Sequence, residues 1–167
     1  MAFGLYKVIS RELIKILSQV PDPEIPVLTI LDLGIVRKVE GNKNEIKVVI
    51  TPTYSGCPAM EMIENQIKEK LQEHGYKKVM IETVLTPAWT TDWITDEAKN
   101  KLEAYGIAPP VKGTPNKGVL MGKDPEVKCP RCKSLNTEMV SQFGSTACKA
   151  LYRCLDCLEP FDYFKCI

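Results

Sequence analysis

The run Glu45-Ile-Lys-Val-Val-Ile50-Thr-Pro-Thr-Tyr-Ser-Gly-Cys57-Pro58 carries a β-branched strand into the start of a helix. Beyond it, Met60, Ile63, Ile67 and Leu71 mark one helical face, and Gly75 offers a left-handed cap at its end. Before it, Ile35–Val39 is a second β-branched run, separated from Ile46–Ile50 by Glu40-Gly-Asn-Lys-Asn44, which predicts a hairpin. Working outward, Leu13, Ile16, Leu17 and Val20 recur at helical spacing until Pro21 ends the pattern. Val79–Leu85 reads as a third strand, and Thr95 can cap a last helix that stops near Gly106. The order α-β-β-α-β-α predicts a small sheet packed on helices, an α+β arrangement.

Residues 109–125 hold four prolines and three glycines, a density that breaks helices and removes ladder donors. The stretch 111–125 therefore reads as a linker between a domain over residues 1–110 and a cysteine-rich module over 126–167. In that module Cys129-Pro-Arg-Cys132 and Cys154-Leu-Asp-Cys157 form two C-x-x-C knuckles with 21 residues between them. A tetrahedral ion needs four thiolates at its corners; each knuckle supplies two from one tight loop, and a hairpin brings the pairs together. So small a module seldom folds on a hydrophobic core alone. The spacing predicts a structural Zn²⁺ in a β zinc ribbon, held by Cys129, Cys132, Cys154 and Cys157. Iron in a rubredoxin-like site would use the same ligands; zinc is preferred because four thiolates close its shell and nothing else suggests electron transfer. Cys148 and Cys166 remain, either as small apolar residues of the ribbon core or as ligands of a second, labile site.

Cys57 stands apart. With Pro58 at the first helical position, Cys57 would be the N-cap, where unpaired amides and the helix dipole favour a thiolate. The alternative is a buried cysteine closing a strand-to-helix turn. Asp22, Glu24 and Asp32 could face Cys57 as acid/base groups, or shape the turns among Pro21, Pro23 and Pro26. Trp89 and Trp93 read as packing residues or a docking patch rather than chemistry.

Several classes are disfavoured by composition. The 22 basic and 21 acidic residues leave a net charge of +1 over 167 residues, without the positive field that holds a polyanion, so nucleic acid is a poor partner. No apolar run reaches the ~20 residues that span a bilayer. The first twenty residues are amphipathic and charged, unlike a secretory leader, which predicts a cytoplasmic protein. A single histidine leaves little material for a Ser-His-Asp or Cys-His mechanism. Neither knuckle opens a helix after a strand, as a thioredoxin-like redox pair would.

Three segments resemble a known family. Asp22-Pro-Glu-Ile-Pro26, Leu31-Asp-Leu-Gly34 and Thr51–Pro58 resemble the signature of the SufT-like domain of iron–sulfur assembly factors. Pro87-Ala-Trp-Thr-Thr-Asp-Trp93, Phe143-Gly-Ser-Thr-Ala-Cys148 and Glu159-Pro-Phe-Asp-Tyr-Phe-Lys-Cys166 extend the likeness to the PaaD family over nearly the whole chain. That family is associated with the phenylacetyl-CoA epoxidase of aerobic phenylacetate degradation. The resemblance implies a SufT-like α/β sandwich followed by a zinc ribbon. It also implies a non-enzymatic accessory that helps install or repair iron–sulfur clusters, with epoxidase components or other iron–sulfur proteins as partners. By the same likeness, Cys57 would handle iron or a transient cluster. One thiolate cannot cage a cluster, so a homodimer, a partner's thiols, or Cys148 and Cys166 would complete the site. A structural component of the epoxidase and a zinc-ribbon binding module are the competing classes.

Overall fold

The computed structural model describes residues 10–111 and 126–165. Most of the expected linker, residues 112–125, and Cys166 lie outside that range. The chain divides into two compact units, Met1–Thr95 and Asp96–Ile167.

In the first unit, Ser10 caps helix α1 (Arg11–Leu17) by accepting the Leu13 N–H, and Ile16 and Leu17 are buried. Strands β1 (Val36–Gly41) and β2 (Glu45–Ile50) form the expected hairpin. Helix α2 (Met60–Glu73) then crosses back to β3 (Lys78–Thr83), which pairs parallel with β2. The sheet order is β1-β2-β3. Ile46, Val48 and Ile50 of β2 are buried, as are Ile63, Ile67 and Leu71 of the apolar stripe read from the sequence. Burying a side chain of this kind is worth about 1.5–3 kcal/mol, so the stripe fixes how α2 lies on the sheet.

The second unit opens with α3 (Asp96–Tyr105) and β4 (Ile107–Ala108) and continues through β5 (Thr137–Ser141), β6 (Lys149–Cys154) and β7 (Pro160–Phe164). The sheet order is β4-β7-β6-β5, and β4 pairs parallel with β7. This differs from the boundary expected at residue 110. Pro109 and Pro110 do interrupt the ladder, but the two residues before them bury their side chains in the ribbon's sheet. Tyr152 stacks on Phe161 at 6.0 Å and meets Tyr163 edge-on at 5.5 Å, filling the core with Val127 and Ala150. Among the described residues no helix is long and apolar enough to cross a membrane.

Candidate functional site

The ribbon hairpin brings the two knuckles together. The sulfurs of Cys129 and Cys157 lie 3.8 Å apart and those of Cys132 and Cys154 3.5 Å apart, and all four ligand atoms fall within 4.8 Å of one another. An ion bound at about 2.3 Å to four tetrahedral sulfurs separates them by about 3.8 Å, a spacing that the Cys129–Cys157 and Cys132–Cys154 pairs already approach, so the donor set fits Zn²⁺. Among the described residues this is the one converged group of ligating side chains.

Each knuckle turns its amides onto its sulfurs. The N–H groups of Cys157 and Asp156 reach Cys154 and bring its thiol down to about 7. At Cys157 the Glu159 N–H pulls the same way. Burial and the adjoining thiols of Cys132, Cys154 and Cys129 outweigh it and push Cys157 up to about 12. A dication reverses that crowding, because it neutralises the thiolates that otherwise repel one another. Asp156 ties the knuckles together by accepting from Ser134 Oγ and, at 2.7 Å, from Asn136 Nδ2. These two hydrogen bonds hold its carboxyl below the ordinary range.

Lys133 and Leu158, each following the second cysteine of its knuckle, both lie in the left-handed region, at φ 67° and 62°. A side chain there costs about 1–2 kcal/mol, and Leu158 is 69% exposed, so little packing repays it. Leu158→Gly is expected to stabilise the ribbon by about 0.5–1 kcal/mol, read as a higher temperature of metal release and thermal unfolding.

The second cysteine site is built differently. Cys57 sits in the loop between β2 and α2, half-buried. Its N–H donates to the Tyr54 carbonyl and its own carbonyl accepts from the Met60 N–H, both at 3.3 Å. The helix begins at Met60 with Ala59 at its N-cap, so the expectation that Cys57 caps it is corrected: a turn intervenes, and Pro58 lies in that turn. The expected lowering of the thiol pKa is corrected as well. Burial raises it most; the Ala59 N–H opposes, Glu24 raises it, a hydrogen bond with Tyr54 opposes, and Asp22 raises it, for a net upward shift. The neutral thiol is thereby favoured, with Glu24 and Asp22 acting on it electrostatically. Gly56 has nothing within 4 Å of where a Cβ would be; its role is its φ of 84°, not close approach to a neighbour.

Asp22 and Asp32 also shape turns, as expected. Asp22 Oδ1 accepts from the Glu24 and Ile25 N–H groups at 2.9 and 2.8 Å. Asp32 Oδ2 accepts from the Thr29 N–H at 2.9 Å while Thr29 Oγ1 accepts from the Asp32 N–H at 3.1 Å. Trp89 is a packing residue: buried, it donates its indole N–H to the Leu33 carbonyl at 2.8 Å. Trp93 lies under the Arg37 guanidinium at 3.5 Å. Cys148 is 4% exposed, with the Thr146 hydroxyl 3.0 Å from its sulfur, in keeping with an apolar core role. The sequence reading missed Tyr54, although its place three residues before Cys57 in a tight loop was a usable signal. It also missed the Asp156 staple, which no spacing rule would reveal.

Residues 11–83 match the family model described as an iron–sulfur cluster assembly protein, and residues 113–165 match the PaaD zinc beta ribbon domain. The chain is 53% identical over 157 residues to a protein of Escherichia coli (strain K12) named as a putative subunit of 1,2-phenylacetyl-CoA epoxidase, covering 94% of this chain and 93% of that one. It is 33% identical over 94 residues to an Fe-S protein maturation auxiliary factor of Porphyromonas gingivalis, covering 55% of this chain and 89% of that one. A crystal structure of a domain of unknown function, DUF59, from Bacillus anthracis superposes with a TM-score of 0.51 at 28% identity, covering 55% of this chain and 88% of that chain. Likeness that runs through both parts of the molecule, rather than through one shared module, makes this chain a member of the PaaD family.

Proposed function

We propose that this protein is a non-catalytic accessory factor that helps install or repair iron–sulfur clusters in the phenylacetyl-CoA epoxidase system. Cys57 is its iron- or cluster-handling ligand, and the four ribbon cysteines hold a resident zinc. The observation that carries the reading is the setting of Cys57: a half-buried cysteine flanked by the exposed Gly56 and Pro58, met by the Ala59 N–H and by Tyr54, with Glu24 and Asp22 acting on it electrostatically. The match of residues 11–83 to an assembly domain supports it.

In this reading the carboxylates draw in cationic iron, and metal ligation displaces the thiol proton that burial holds in place. The site stays incomplete on its own, because among the described residues Cys57 belongs to no group of three or more converged ligating side chains. An incomplete coordination shell suits delivery, since the recipient's thiols can supply the missing ligands and carry the cluster away. Zinc in the ribbon supplies a fixed cross-link between the two knuckles and leaves no open position for chemistry.

Anaerobic cluster loading of the full chain, followed by transfer to an apo iron–sulfur reductase, tests this by visible absorption of the recipient. Cys57→Ser is expected to lose most of the transfer while retaining its zinc. Equal transfer by both proteins overturns the role of Cys57. A parallel alkylation profile should show Cys57 reacting more slowly at neutral pH than an ordinary cysteine, its rate climbing until pH passes the raised pKa. The name of the E. coli relative favours a second reading, a structural component of the epoxidase. Co-purification with the oxygenase in fixed ratio, with transfer indifferent to Cys57→Ser, would establish that reading instead.

A further inference from the structure

The two sheets have four edges, and three of them are blunted. Strand β1 breaks register between Val36 and Lys38, β5 does so between Met139 and Ser141, and β4 is only two residues long. The fourth, β3, is different. It is six residues long, holds unbroken register with β2, contains no proline, and among the described residues pairs with β2 alone. Lys78, Met80, Glu82 and Thr83 are exposed, and Val79 and Ile81 are only half-buried.

The peptide groups of β3 alternate in direction. Lys78 N–H donates to Asn44 at 3.2 Å and Val84 N–H to Ile50 at 2.9 Å, so the even-numbered residues bond β2. Val79 and Ile81 therefore direct their N–H and C=O groups to the open edge.

We infer that a second copy of this chain pairs antiparallel with that edge, β3 against β3, about a two-fold axis at Met80. The segment Lys78-Val-Met-Ile-Glu82 is complementary to itself when reversed. In this register Lys78 faces Glu82 of the partner copy at both ends, Val79 exchanges both backbone bonds with the partner's Ile81, and the two Met80 side chains meet at the non-hydrogen-bonded centre. Lys78 already pairs with Glu45 at 2.8 Å and Glu82 with Lys47, so the dimer extends an alternation of charge across four strands. Shifting the register by two residues sets Met80 against Glu82 and loses both charge pairs, which selects the central one. A three-stranded sheet becomes six-stranded, and its one unprotected edge disappears.

The two-fold has a consequence for Cys57. Strands β2 and β3 run parallel, and the Cys57 loop leaves the carboxyl end of β2. Reversing the partner puts the two Cys57 loops at opposite ends of the joined sheet. This dimer therefore presents two separate delivery sites and does not pool two Cys57 sulfurs on one cluster; the pairing itself stands independently of what Cys57 does.

Sedimentation of the full-length, metal-loaded chain at micromolar concentration tests the pairing. The wild type is expected at twice its 18.7 kDa mass. Met80→Lys and Met80→Glu each set like charges across the axis and should sediment as monomers, with dissociation constants weakened at least about tenfold. An equimolar mixture of the two variants should dimerise again, which also shows that each is folded. A monomeric wild type, dimers unaffected by either substitution, or a mixture that stays monomeric would each overturn the proposal.

Discussion

Stripping the metal from the ribbon is expected to unfold the β5–β7 sheet while the N-terminal unit keeps its structure. In finger peptides a structural zinc contributes an apparent ~10–16 kcal/mol near neutral pH, more than the whole stability of most small domains. The ribbon's own core is small, built from Val127, Ala150, Tyr152, Phe161 and Tyr163, and two of its buried residues are Cys129 and Cys154 of the converged sulfur group. Without the ion those sulfurs are crowded thiols that hold nothing together. The chain offers separate reporters for its two units. Both tryptophans, Trp89 and Trp93, lie in the N-terminal unit, whereas Tyr152 and Tyr163 lie in the ribbon. Chelation should remove the near-ultraviolet dichroism of Tyr152 and Tyr163 while that of Tyr54 and Tyr76 in the N-terminal unit persists, and should open residues 126–165 to protease with tryptophan emission in place. Cys154→Ser should do the same without chelator. A ribbon whose tyrosine dichroism survives complete metal loss would show that its hydrophobic core suffices.

What could be read from residues alone followed the range of the interaction. The α2 stripe and the β1–β2 hairpin rest on local periodicity, and both appear as read. The four knuckle cysteines could be paired on paper because two ligands per turn is a local rule and only one hairpin is needed to join them. The failures are all non-local or conformational. Strand β4 has two residues beside a proline pair and exists because β7, more than fifty residues later, lies alongside it. The sequence shows that Cys57 precedes a helix, but the sign of its pKa shift depends on burial and on Glu24 and Asp22, more than thirty positions away. Pro58 misled for a related reason. A proline after a candidate cap suits the first helical position, yet the backbone spends those residues on the turn that carries Cys57 and starts α2 only at Met60.

Gly34→Ala should cost the N-terminal unit about 2–4 kcal/mol and lower its unfolding temperature by roughly 10–20 °C. Two penalties combine. The backbone stands at φ 67°, where an alanine is strained. A Cβ there would also lie 2.9 Å from both Trp93 Cβ and the Trp93 carbonyl oxygen, closer than such atoms approach. The substitution strikes the point where two motifs lock together: Trp89 donates to Leu33, the Thr95 N–H donates to Asp32 at 3.2 Å, and Trp93 closes over Gly34 beneath Arg37. Gly56→Ala separates the two penalties. That position has the same handedness, at φ 84°, but open space around it, so only the backbone strain of about 1–2 kcal/mol should appear. If the two substitutions proved equally costly, the close fit of Trp93 against Gly34 would contribute nothing. If Gly34→Ala costs more, as its contacts require, then the segments around Leu31–Gly34 and Pro87–Trp93 occur together in the sequence because each is shaped to the other.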